Sequence, residues 1–270
     1  MNLQQFSTLA AKFQTTQKMP LLFLGHGSPM NAITENQFTQ NWQALGESLP
    51  LPNAILCISA HWETEGSWVT AMETPKTIHD FYNFPQELYD MQYPAAGSPL
   101  LAKEITALNR HIHLDHEWGL DHGTWAVICH IYPKADIPTL QLSLDMSLSP
   151  DAHYSLAKTL QALRHRGVLI IASGNIVHNL RRLDFNNPEG GHEWAEEARV
   201  SMRNMVLAQD YPKLIDFKHQ GKAFNLSIPT AEHYLPLLYT VSLQDKTDEI
   251  FVFNDQSVLG SLAMTSFLIA

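Results

Sequence analysis

Apolar residues in this chain gather into short unbroken runs that stop abruptly at glycine, serine or histidine, and these runs alternate with stretches of helical period. Residues 21–29, LLFLGHGSP, set the pattern: four apolar side chains lead straight into Gly25, His26, Gly27, Ser28 and Pro29. An apolar run bounded by glycine and proline predicts an interior strand of a parallel sheet. The design recurs at 54–62, AILCISAHW, which runs into His61, and at 167–173, GVLIIAS, which opens toward His178. Further strands are predicted at 68–72, 137–145, 250–254 and 257–269. The alternation of HIHLDHEW at 111–118 predicts another, with His111 and His113 on one solvated face.

Between the runs, Trp42, Leu45 and Leu49 lie at helical spacing within 38–49, and Pro50 and Pro52 end that helix. A second helix is predicted over 98–110, with Ser98 as N-cap and Pro99 at the first helical position. Others are predicted at 126–132, from Ser149-Pro150 to about Arg166, at 190–208, at 210–220 and at 234–241, the last with Thr230 as candidate N-cap. Residues 77–89, TIHDFYNFPQELY, read as an aromatic-dense loop broken by Pro85. Strands alternating with helices throughout predict a single α/β domain with a mostly parallel or mixed central sheet flanked by helices. Residues 20–270 form that domain, and residues 1–19 are an N-terminal extension.

Composition narrows the partners. A chain of 270 residues can bury a sizeable core, and a formal net charge of -10 argues against a nucleic-acid or anionic-membrane surface. Small molecules or other protein chains remain, with the chain itself a monomer or small homo-oligomer. Cys57 and Cys129 both lie inside apolar runs and read as reduced core thiols, which fits a cytoplasmic protein. No stretch has transmembrane length, and the first twenty residues lack the apolar segment of a secretory signal.

Histidine is abundant, with 14 residues against 17 Lys and Arg, so the question becomes which histidines stand at strand ends. In open α/β sheets ligands bind beyond the carboxyl ends of the strands. His26, His61 and His178 would converge there, and His233, before an apolar helix, could join them. Neutral imidazoles suit Fe(II), Zn and Cu. A single such histidine reads more readily as a structural residue, whereas three in similar places outline a metal site. His122, between Asp121 and Gly123, is either a proton-transfer group near neutral pH or a buried hydrogen-bonded histidine, with Asp121 as its candidate orienting partner.

Six motifs carry a family resemblance: GHGSPM at 25–30, SAHW at 59–62, TIHDFYNFP at 77–85, DHGTW at 121–125, ASGNIVHNL at 172–180 and AEHYLPLLY at 231–239. In this order they resemble the DOPA extradiol dioxygenase family, within the class III extradiol ring-cleaving dioxygenases that include the protocatechuate 4,5-dioxygenase catalytic subunit. The similarity runs from about Met19 onward and is loose over 184–222. The resemblance implies that His26 and His61 are metal ligands, with His233 at a further metal-site position. It implies that His178 is either at the metal or an acid/base residue beside it, and that His122 contacts substrate. Superfamily members complete their triad with a glutamate, so Glu232 competes with His233 for that place.

The implied activity is opening of a catechol ring, DOPA-like by family name, with O2 to a muconic semialdehyde. Fe(II) is the expected cofactor and Zn a possible bound ion. His178 and His122 are the expected catalytic residues, the first as base and the second for proton donation or oxygen stabilisation. Trp62, Phe81, Trp125 and Tyr234 are candidate walls for a flat substrate, against the alternative that each simply packs the core. Two other functions use the same histidines: a zinc-dependent hydrolase that activates water, and a non-catalytic metal-binding protein.

Overall fold

The computed structural model describes residues 18–270, so most of the N-terminal extension lies outside the described residues. Its centre is an eight-stranded mixed sheet built from β1 (Leu21–Gly25), β2 (Ala54–Thr64), β3 (Ser67–Thr70), β4 (Ile112–Asp115), β5 (Thr139–Asp145), β6 (Val168–Gly174), β7 (Ile250–Phe253) and β10 (Ser266–Ile269). Their order across the sheet is β4-β3-β5-β2-β6-β1-β10-β7. The inner four, β5, β2, β6 and β1, pair in parallel, and the antiparallel β10 and β7 extend the sheet beyond β1.

The unbroken apolar runs are explained by burial on both faces, as parallel strands covered by helices require. Along β1, Leu21 and Phe23 enter one core, with Leu56, Ile58, Ile170 and Leu237, while Leu22 and Leu24 enter the other, with Ile55, Cys57, Ile171 and Trp125. The helices Pro99–Leu108, Pro150–Lys158, Glu193–Leu207 and Leu235–Ser242 contribute to the first core, and Gln37–Ser48 and His122–Ile131 to the second. The predicted single α/β domain with a mixed sheet is thus the observed one.

Local chemistry agrees with several predicted helix starts. Ser98 and Ser149 each accept a backbone N–H at their helix N-termini, with proline in the first turn. His111 and His113 are exposed, as the alternating pattern required.

Several elements differ from expectation: the aromatic loop holds a short helix, Gln86–Asp90, the helix expected over 210–220 is split into Tyr211–Ile215 and a 3-10 turn, Phe217–His219, and Lys222–Ser227 forms a helix that was not expected. The strand expected over 54–62 continues to Thr64, and between Ile58 and Glu63 its register against β5 breaks. Such a bulge bends a strand and re-aims its side chains, and here it carries His61. The helix expected to reach Arg166 ends at Lys158 and is followed by a 3-10 segment, Gln161–Arg166, closed by Gly167 at φ 74°. Thr230 is no N-cap: the helix starts at Leu235 and the Thr230 hydroxyl donates to Glu232 Oε1 instead. The single strand expected over 257–269 is divided, because Leu259 and Gly260 both adopt positive φ. That turn makes a separate hairpin of β8 (Ser257–Val258) and β9 (Leu262–Ala263) before β10 joins the main sheet.

Candidate active site

The carboxyl ends of the inner strands deliver three histidines to one place, and a loop adds a fourth. His26 directly follows β1, His61 sits in the bulge of β2, and the turn after β6 carries His178. His233 arrives from the segment before the helix Leu235–Ser242. Its carbonyl accepts the Asn175 N–H at 2.8 Å and lies so close over Gly174 that a side chain there would collide with it. Gly123 has the same function for His61: a Cβ at position 123 would stand 2.8 Å from the His61 ring.

Ring centroids of His26 lie 5.1 Å from His61 and 5.2 Å from His233, and those of His61 and His233 are 5.0 Å apart. One nitrogen from each of these three falls within 4.8 Å of the others. The His26 and His61 Nε2 atoms face each other at 3.2 Å. Hydrogen bonds behind the rings decide which nitrogens are free. The Ser173 hydroxyl donates its only proton to the Gly123 carbonyl, so at 3.0 Å it can only accept from His26 Nδ1–H. Glu232 Oε1 likewise accepts from His233 Nδ1 at 3.0 Å. Both rings therefore keep a lone pair on Nε2.

The His233 Nε2 atom is buried and has no hydrogen-bond partner. The large majority of buried polar side-chain atoms in folded proteins have a partner. An unpartnered imidazole nitrogen converging with two others makes a donor set that could hold a metal ion. Between the two candidates for that position, His233 faces the cluster and Glu232 backs it.

Electrostatics keep these donors neutral. Burial, reinforced by repulsion from neighbouring imidazoles, holds His26 and His233 well below the usual histidine range. Burial and His122 take His61 down to about 3 against the opposing pull of Asp80, and burial takes His178 to about 4. Metal binding needs neutral imidazole, so the site is prepared to accept a cation without expelling a proton.

His178 stacks flat on His233, 3.5 Å between centroids and 6° between planes. It falls within metal-ligand reach of Glu232 and His233, in a grouping separate from that of His26, His61 and His233. His122, first residue of the helix His122–Ile131, lies 3.9 Å from His61 between ring centroids. Its Nδ1 and its backbone N–H both bond Asp80, each at 2.9 Å. Burial alone would raise the Asp80 carboxyl, but the hydrogen bonds and charge of His122, followed by His61, hold it below the usual range.

Asp121, the orienting partner expected from sequence, is turned elsewhere. As N-cap of that helix it accepts from the Thr124 N–H at 3.2 Å, and it also bonds Ser59 at 2.7 Å and Gln141. A residue immediately before a helix aims its side chain at the first-turn amides, away from the ring of the next residue. Burial, with the nearby Asp80 charge, raises the Asp121 carboxyl to about 6. Asp80, Ser173 and the backing role of Glu232 were missed from sequence. The available signal for Asp80 was a carboxylate beside His79 in the aromatic loop.

Of the four aromatic candidates, the structure brings Phe81 to the cluster, edge-on to His122 at 5.6 Å. Trp125 stands behind it, fully buried, its indole N–H on the Ile78 carbonyl at 2.8 Å. Trp62 stacks on Trp118 at 5.5 Å. Tyr234 lies in the first core, its hydroxyl donating to the Leu214 carbonyl and its ring against Phe217 at 4.7 Å.

An α/β sheet with three convergent imidazoles and two more beside them at the carboxyl ends of its strands has the donor set of a metal-dependent enzyme, and the comparisons supply its chemistry. Residues 20–238 match the family described as the catalytic LigB subunit of aromatic ring-opening dioxygenase. The chain belongs to this family, in its DOPA extradiol dioxygenase branch, and is an aromatic ring-opening dioxygenase. It is 46% identical over 259 residues to a 4,5-DOPA dioxygenase extradiol of Escherichia coli (strain K12), covering 93% of this chain and 95% of that one. It is 35% identical over 224 residues to a protein of the same name from Beta vulgaris, covering 80% and 83%. A crystal structure of an uncharacterized protein from Escherichia coli K12 superposes with a TM-score of 0.80 at 41% identity, covering 93% of this chain and 100% of that one.

Proposed function

We propose that the chain is an Fe(II)-dependent extradiol dioxygenase that opens a DOPA-like catechol with O2 to a muconic semialdehyde, with His26, His61 and His233 holding the metal. The orphaned Nε2 of His233, beside the His26 and His61 nitrogens, carries this reading. Three neutral nitrogen donors suit Fe(II) and Zn(II) alike, but only a redox-active ion supplies dioxygen activation and electron transfer to the ring.

The protein's own groups manage protons and position. His178, kept neutral by burial, accepts the proton of one catechol hydroxyl at a ring nitrogen, as a general base beside the triad. His122 has its Nδ1–H committed to Asp80, so its Nε2 lone pair takes the proton of the second hydroxyl and later returns that same proton. Phe81 offers an edge to the flat ring, with Trp125 holding Phe81 in place. Trp62 and Tyr234 act through packing. Cys57 and Cys129 are free thiols, which supports a cytoplasmic setting.

The test is anaerobic reconstitution with Fe(II), followed by L-DOPA or simple catechols in air, with a parallel sample carrying Zn(II) alone. Iron-dependent yellow colour with matching oxygen uptake is expected. No uptake at full iron occupancy, or equal turnover with zinc, would replace this reading with a hydrolase or a binding protein.

A further inference from the structure

Asp80 is a single carboxylate shared by two imidazoles of different function. It comes from the loop between β3 and the short helix Gln86–Asp90, far in sequence from either partner. Its Oδ1 accepts the His122 backbone N–H at 2.9 Å; its Oδ2 accepts His122 Nδ1 at 2.9 Å and lies 3.3 Å from His61 Nδ1. The neighbouring Phe81 meets the His122 ring edge-on, and the two bonds from His122 hold the carboxylate in a partly buried setting.

An ionised carboxylate accepts and never donates. The His122 ring that bonds Oδ2 therefore carries a proton on Nδ1, which in the neutral ring leaves Nε2 bare, and the same negative oxygen 3.3 Å from His61 Nδ1 favours the Nδ1–H form of that ring by charge. For His61 that bare Nε2 is the one facing His26. For His122 it is the nitrogen left for substrate. We propose that Asp80 is a positioning residue that fixes the tautomers of His61 and His122 together, so that the metal-side nitrogen and the proton-transfer nitrogen are prepared by one acceptor. This rests on the triad reading given above.

Asparagine at this position tests the idea by inverting polarity at constant size. If its carbonyl takes the His122 backbone N–H, its NH2 faces both Nδ1 atoms and drives each ring to the Nε2–H form. If it flips, NH2 meets that backbone N–H and one hydrogen bond is lost. Alanine only removes the acceptor and leaves both tautomers open. Polarity therefore predicts Asp80→Asn as the worse variant, whereas a packing role predicts Asp80→Ala as the worse.

The experiment has two readouts independent of ring cleavage. The first is the long-range 1H–15N spectrum of the histidine rings in the metal-free full chain, with His122 assigned through the signal lost in His122→Gln. The second is the affinity for Zn(II), used as a redox-silent probe, by chelator competition. Wild type should show an Nδ1-protonated His122. In Asp80→Asn that signal should move to the Nε2-protonated form, and zinc should bind about 10–100-fold more weakly, the usual effect of losing a partner behind a ligand.

Asp80→Glu, which keeps two acceptor oxygens, should restore the wild-type tautomer. Unchanged tautomers in Asp80→Asn with zinc affinity within about twofold of wild type overturn the proposal, as does an Asp80→Ala that is the worse of the two in both readouts. Because neither measurement needs turnover, an enzyme inactive on catechols with a shifted Asp80→Asn spectrum sinks the catalytic reading while the positioning role stands.

Discussion

Removing one hydroxyl tests how the site keeps its nitrogens available. Ser173→Ala leaves His26 Nδ1 without its acceptor, so the ring can adopt either tautomer. Metal affinity should fall about 10–100-fold while the fold persists, as judged by unchanged circular dichroism. A wild-type affinity would show that Ser173 does not select the tautomer. Gly123→Ala makes the opposite kind of test. Alanine is the better helix residue by about 1 kcal/mol, yet its Cβ would press on the Ser59 hydroxyl and the His61 ring. Activity and metal loading should drop sharply while the thermal midpoint changes by only a few degrees. His26, His61 and His178 were legible because strand ends announce them in sequence, and His122 and His233 because each stands at or just before the start of an apolar helix. Their partners were not, since Asp80, Ser173 and Glu232 are ordinary polar residues whose role depends on which loop folds back over which strand.

Secondary elements were readable where burial dictates composition. β1, β6 and the first part of β2 are covered on both faces and accept only apolar side chains, so their runs stand out. The break in β2 was not readable, because a bulge is set by how β5 pairs with it, not by its own residues. The division of 257–269 was hidden for a similar reason: Leu259 takes φ 50° without being glycine. The buried Arg164 links the 3-10 segment Gln161–Arg166 to three residues between other elements. It bonds the Met19 carbonyl at 2.9 Å, the Leu243 carbonyl at 3.0 Å and Asp248 at 2.6 Å. Arg164→Met leaves Asp248 buried with only Lys18 to pair it, which should cost about 3–5 kcal/mol in urea unfolding. A loss under about 1 kcal/mol would mean that water replaces the guanidinium.

At the scale of the whole molecule, so many buried neutral histidines make stability depend on pH. His61 is depressed to about 3, and His153 and His178 to about 4, by burial first. Unfolded, each binds a proton near its ordinary value of about 6.5. Below that value the unfolded chain holds more protons, so metal-free stability should fall as pH drops from about 6.5 toward 4, each such group adding up to about 1.4 kcal/mol per pH unit. His153→Gln keeps a partner for the Tyr239 hydroxyl while removing one titration, and should flatten the slope seen in denaturant titrations at pH 7, 6 and 5. An unchanged slope would place the proton uptake elsewhere. The sheet order carries a consequence of another kind, in the timing of synthesis. β1, whose end bears His26, has β10 as its outer neighbour, and the Gly25 amide bonds the Ser266 hydroxyl 241 positions later in the chain. While the ribosome is still adding the intervening residues, that edge of β1 is an unpaired row of amides and carbonyls beside a half-made core. A nascent chain of this design is therefore exposed to edge-to-edge association for most of its translation, and the last strand of the sheet to emerge closes the flank of the first.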